Sequence, residues 1–183
     1  MVMAEATNHY FKHLGVSDGL SQVCIPSIYQ DELGAVWLGT TEGLNRYNGK
    51  DVRVFQPSES NHGLTNNEIN ELCGDKNGRM YIRSGNDLIK LDIYTEQFTC
   101  LRQKGVYGLF CKKDTLWVSC ADGIYYYTGQ GTELTFFARV QKGFVGRALY
   151  VDRETVWVVT RKYLVAISRE DPLRQEILLT LDK

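Results

Sequence analysis

Several things are scarce in this chain, and each scarcity removes a class of function. No apolar run in its 183 residues approaches the ~20 needed for a transmembrane helix. The opening Met1-Val2-Met3-Ala4-Glu5-Ala6 has neither a basic region nor an apolar one, so it is no intact signal peptide; a stub left by trimming stays open. Excess charge is missing too. A formal net charge of −1 gives no electrostatic reason to expect nucleic acid or an anionic membrane as partner. Closely spaced cysteines are absent: Cys24, Cys73, Cys100, Cys111 and Cys120 contain no CxxC, which argues against a zinc site. They read as small hydrophobes in strands, with a disulfide left open. There are only three histidines, His9, His13 and His62, and no HxH, HExxH or GxSxG. Gly129-Gln130-Gly131 lacks the third glycine and the helix of a phosphate loop. No cofactor is expected, and no catalytic residue stands out.

What is present is a repeat. Trp37, Tyr81, Trp117 and Trp157 are spaced 44, 36 and 40 residues apart. Seven residues after each anchor stands an aliphatic side chain (Leu44, Leu88, Ile124, Leu164), and ten after, Tyr47, Leu91, Tyr127 and Ile167. A period near 40 signals stacked or radial repeats. Each unit reads as short strands and turns. In the first, Asp31-Glu32-Leu33-Gly34 has the residues of a type I turn between Ile25–Gln30 and Val36–Thr40. The second copies it with Asp75-Lys76-Asn77-Gly78, and the third and fourth shorten the turn. Asn66 to Cys73 has weak helical features but occupies the innermost-strand position, and strand is expected. The strands are apolar at consecutive positions, as sheets covered on both faces require. The expectation is an all-β protein of about four β-propeller blades: an N-terminal segment over residues 1–20, then blades at 21–57, 58–101, 102–140 and 141–183.

Phe11-Lys12-His13-Leu14, Asp18-Gly19-Leu20-Ser21, Gln30 to Gly34, Val36 to Thr40 and Glu42 to Gly49 follow one another in a single order. In this order they resemble the two-component regulator propeller of the sensor region of Bacteroides-type hybrid histidine kinases. The match is strong in the first repeat and good in the second; the last two lack its turn and its Gly-Thr. The resemblance implies a periplasmic sensor with two seven-bladed propellers and a β-sandwich module, followed by a membrane span, kinase and regulator parts. On it, this chain is the N-terminal part of the first propeller, non-enzymatic itself, and membrane-bound only through later segments. The strand around Tyr10 to Leu14 is then expected to close the ring's last blade. An independent four-bladed ring is the alternative.

In a propeller, the loops after the anchor strands share one face. The candidate ligand contacts there are Glu42, Asn45, Arg46, Arg83, Asn86, Asp122, Arg161 and Lys162, with Asp87 beside them and Tyr47, Tyr125, Tyr126 and Tyr163 as stacking surfaces; His62 lies in the long connection between the first two blades. Arginine forks and carboxamides suit the hydroxyls and anionic groups of an oligosaccharide, the expected ligand. The rival readings for these residues are solvated loop charge and blade packing. For the chain as a whole they are a protein-binding or dimerising scaffold, or part of a propeller lyase. Blade faces left bare at the ends of an incomplete ring are expected to drive self-association, as a dimer.

Overall fold

A computed structural model describes residues 12–57, 63–140 and 148–180. Their strands form four antiparallel four-stranded sheets, each a simple meander. The first sheet holds β1 (Ser27–Gln30), β2 (Val36–Thr40), β3 (Gly43–Tyr47) and β4 (Val52–Phe55). The second holds β5 (Ile69–Gly74), β6 (Arg79–Ser84), β7 (Asp87–Asp92) and β8 (Gln97–Arg102), one residue beyond the boundary read from the sequence. The third holds β9 (Val106–Lys112), β10 (Thr115–Cys120), β11 (Gly123–Tyr127) and β12 (Thr135–Ala138). The fourth holds β13 (Ala148–Val151), β14 (Thr155–Val159), β15 (Tyr163–Ser168) and β16 (Gln175–Thr180). A single 3-10 turn, Val16–Asp18, precedes them.

The sheets meet along their first strands, β1 on β5, β5 on β9 and β9 on β13. Their register shows the direction. Ser27 Oγ accepts from the Leu72 amide, 45 residues on, and Tyr29 lies over Gly74, a further 45-residue step. Glu71 then meets Leu109 and Cys73 meets Cys111, both at an offset of 38. Constant offsets mean parallel inner strands. All four sheets therefore point the same way, and equivalent turns share a face, as in propeller blades.

The core is three inter-sheet clusters. Trp37, Leu44 and Phe55 of the first sheet pack on Ile69, Leu72, Met80 and Ile82 of the second. Tyr81 and Leu88 pack on Leu109, Leu116 and Val118 of the third. Trp117 and Ile124 pack on Val156, Val158, Val165 and Ile167 of the fourth. Each anchor thus lies against the following blade. Trp157 has no following blade among the described residues, and its strand shows it: β10 is buried at five consecutive positions, whereas β14 alternates. Alternation is the signature of a sheet covered on one side. With Trp157 on the bare face lie Leu164 and Leu179, the last 53% exposed.

The opposite end of the array is handled differently. Residues from Lys12 to Ser21 run over the outer face of the first sheet. Gly19 sits against Val52, the Ser21 amide donates to Asn45 Oδ1 (2.9 Å), and the Ser21 and Thr40 hydroxyls are 2.9 Å apart. Ile28 on the same face stays 66% exposed. The strand expected around Tyr10 to Leu14 falls partly outside the described residues, and Lys12 to Leu14 are not in a strand.

Buried carboxylates build the turns. Asp31 Oδ1 accepts from the amides of Leu33 (3.0 Å) and Ala35 (2.8 Å), and Oδ2 accepts from the Trp37 indole (2.7 Å). Gly34 closes this turn at φ 86°, a conformation a Cβ disfavours. The second sheet has a tyrosine as anchor, and Asp75 pairs instead with the Arg79 guanidinium. The fourth sheet restores the first arrangement, with Asp152 Oδ2 accepting from the Trp157 indole at 2.7 Å. Only the third abandons it, for a two-residue turn with Lys113 at φ 51°. Gly39, beside the first seam, is needed for space, because a Cβ there would come within 2.7 Å of Ile69 Cγ2.

Candidate functional site

The parallel blades bring the turns between second and third strands to one face. Each turn has a buried side chain three residues past the anchor, and in the first and fourth blades it closes the turn. Thr40 Oγ1 donates to the Gly43 carbonyl (2.8 Å) and accepts from the Glu42 amide (3.0 Å). Thr160 repeats this with the Tyr163 carbonyl (3.2 Å) and amide (2.9 Å). Ser84 ties its turn to the preceding loop through the Asn66 carbonyl (2.8 Å) and amide (3.0 Å). In the third blade the position is Cys120, fully buried. With their backbones pinned, the turn tips present Glu42, Asn86, Asp122, Arg161 and Lys162, all exposed. These five of the eight candidates lie on one face.

The other three are engaged inside the protein. Asn45 is fully buried, and its side chain bonds to Ser21 and to the Leu38 and Gly43 carbonyls, holding the N-terminal segment on the first blade. Arg46 lies toward the other end of β3. Its guanidinium is 5.6 Å from the Trp37 ring centroid and 3.4 Å from Glu96, in the loop between β7 and β8. That loop is on the face opposite Glu42. Arg83 lies in the seam between the second and third blades, 3.4 Å from Glu71, whose carboxylate also accepts the Leu109 amide at 3.1 Å. Burial lifts the Glu71 carboxyl above its ordinary value against the opposing pull of that amide and of Arg83. His62 lies outside the described residues.

Asp122 is exposed but already partnered, at 2.8 Å from both Arg102 and the Tyr125 hydroxyl. Burial pushes its carboxyl up, yet those two donors outweigh this and hold it below its ordinary value. Tyr125 is sandwiched, with Arg102 4.6 Å from its centroid and Phe136 edge-on at 5.4 Å. Among the exposed candidates, Glu42, Asn86, Arg161 and Lys162 keep the freest side chains. Together they offer a carboxylate, a carboxamide and two cations to a polar ligand.

A concavity of about 470 Å³ opens on the opposite face between the third and fourth blades. Tyr126, Phe137, Arg153, Arg169 and Glu170 line it. Arg169 donates to the Asp152 and Arg153 carbonyls (3.1 and 2.9 Å) and lies 5.5 Å from the Trp117 centroid, which makes it a cover for the anchor. Arg153 and Arg169 escaped the sequence reading because nothing in the repeat pattern marks them. Among the described residues no cluster of His, Cys, Asp or Glu has the geometry of a metal site, and no helix is long and apolar enough to cross a membrane.

Comparison with known proteins agrees with this architecture. Residues 19–42 match the family model of the two component regulator propeller. Histidine kinase P4 of Formosa agariphila is 38% identical over 53 residues, which are 29% of this chain and 4% of that protein. Among solved structures, one described as the extracellular domain of a hybrid two component system from B. thetaiotaomicron superposes with a TM-score of 0.75 at 21% identity. It covers 92% of this chain and 26% of that one. A second such domain from B. thetaiotaomicron gives a TM-score of 0.64, also at 21% identity, over 84% of this chain and 21% of that one. The chain therefore spans about a quarter of the first of these structures and a small part of the curated kinase. Its four sheets are arranged as β-propeller blades, and the segment of the first that runs through β1 and β2 is similar to the two-component regulator propeller.

Proposed function

We propose that this chain is a ligand-recognising segment of the extracytoplasmic, periplasmic sensor region of a hybrid two-component histidine kinase, and that its ligand is an oligosaccharide. The observation that carries the reading is that Glu42, Asn86, Arg161 and Lys162 stand exposed at turns on one face of propeller blades, the first of which matches the regulator propeller over residues 19–42. The likeness to extracellular domains of two-component systems supports the location. In this reading phosphotransfer belongs to other segments of the full-length protein. Ligand acts by favouring one of two arrangements of the sensor, which requires only that it bind one of them more tightly.

Thermal shift against a panel of oligosaccharides tests this. A ligand at ~100 times its dissociation constant adds about 2.7 kcal/mol, a rise of roughly 5–10 °C for a chain of this size. Asn86→Ala and Arg161→Ala are expected to abolish the shift, while Arg46→Ala lowers the starting stability and leaves the shift intact. If no sugar moves the melting temperature, the glycan reading fails.

A second reading, a scaffold that binds protein or dimerises, is favoured by one specific observation. Trp157, Leu164 and Leu179 line a sheet face that no blade covers among the described residues. Sedimentation at roughly tens of micromolar is expected to show a dimer that Leu164→Glu converts to monomer. A wild-type protein that stays strictly monomeric there removes the basis for this reading.

A further inference from the structure

We infer that Cys73 and Cys111 are a disulfide-forming pair that staples the second blade to the third. Both are free thiols, and their sulfurs lie 2.8 Å apart, inside the contact distance of unbonded sulfur atoms, so that a modest approach brings them to the roughly 2.05 Å of a bond. They stand on the parallel inner strands β5 and β9, at the same offset of 38 residues that sets Glu71 opposite Leu109. The register that builds the seam therefore brings the thiols together. Both side chains are part-buried against Tyr81, Leu109 and Leu116. The remaining cysteines are elsewhere: Cys24 is exposed before the first blade, Cys100 is on the outermost strand of the second, and Cys120 is buried at a turn of the third.

The reaction is a thiol–disulfide exchange with an external disulfide, either a small molecule or a dithiol oxidase. Burial and the neighbouring sulfur push the Cys73 thiol well above its ordinary value. Cys111 loses its proton and attacks the external disulfide, displacing one thiolate and leaving a mixed disulfide. Cys73 then loses its proton and attacks the Cys111 sulfur, displacing the second thiolate. The two protons end on the two released thiols. The protein is oxidised by two electrons, and the external disulfide is reduced by two. None of this depends on the chain being a sensor. It requires only an oxidising environment.

The bond closes a long loop and adds a covalent link between two blades that otherwise adhere through side-chain packing and polar contacts such as Glu71–Leu109 and Arg102–Asp122. The test is peptide mapping of the whole chain after exposure to oxidised glutathione, with free thiols alkylated under denaturing conditions. The expected result is one linked peptide pair containing Cys73 and Cys111, with Cys24, Cys100 and Cys120 recovered alkylated. The oxidised protein melts roughly 5 °C or more above the reduced one. Cys100→Ser retains both the link and the shift, and Cys111→Ser loses both. Recovery of Cys73 and Cys111 as separately alkylated peptides, as glutathione adducts, or paired with other cysteines overturns the proposal. The wild-type map decides the matter even if a serine variant folds poorly.

Discussion

Trp37→Ala is expected to destabilise the protein by about 3–5 kcal/mol, read as a fall in the denaturation midpoint. The indole is 0% exposed. It packs on Phe55 at 5.7 Å and under the Arg46 guanidinium, and it fills the first seam against the second blade. Truncation removes its dispersion contacts and leaves a cavity that two rigid sheets cannot collapse into. It also leaves Asp31 Oδ2 without its indole donor. The fourth-blade equivalent gives the control. Trp157 makes the same bond to an aspartate but lies on the uncovered face, so Trp157→Ala is expected to cost only about 1–2 kcal/mol. Equal losses at the two positions would mean that the bare face of the fourth blade is covered in solution.

The second large effect belongs to Asp31→Ala, expected to cost about 3 kcal/mol. Its carboxylate serves the Leu33 and Ala35 amides and the Trp37 indole, and an orphaned buried donor costs roughly 1–3 kcal/mol. Leu33 is exposed, so water replaces part of that bond, which keeps the total below the simple sum. Asp31→Asn retains the Oδ1 acceptor but turns an amide toward the indole, and is expected to lose about half as much. Combined with Trp37→Phe, which removes the indole donor together with part of the ring, Asp31→Ala should show a coupling of roughly 1 kcal/mol. Additive losses would show that the carboxylate supports the turn without positioning the ring.

The repeat was legible because its signal is local. An anchor, an aliphatic residue seven places on and a turn aspartate before it all lie within three consecutive strands, so spacing alone reveals them. Asp152 was missed because the fourth turn is one residue shorter, five from carboxylate to indole where the first blade has six. The candidate site was legible only where the turn tip itself is the evidence, at Glu42, Asn86, Asp122, Arg161 and Lys162. Asn45 and Arg46 follow Glu42 within four residues, yet alternation along a strand and its tilt send them to the outer sheet face and to the far end of the seam. Their partners, Ser21 and Glu96, come from distant segments that no local pattern connects. The same holds for Glu71 with Leu109 and for Cys73 with Cys111. Such pairs depend on the register between blades, which only the assembled sheets reveal.

The constant register of the inner strands also bears on how the protein comes apart. Among the described residues, strands pair with sequence neighbours, and the main contacts between sheets join each to the one before or after it. Such a chain behaves as a row of coupled units, each lending stability only to the next. Among the described residues the second and third blades have two supporting neighbours, the fourth has one, and the first has one and the N-terminal strap. Melting in such a row is an inward-moving front, and amide exchange would rank the blades by their distance from its open end, with the fourth yielding first.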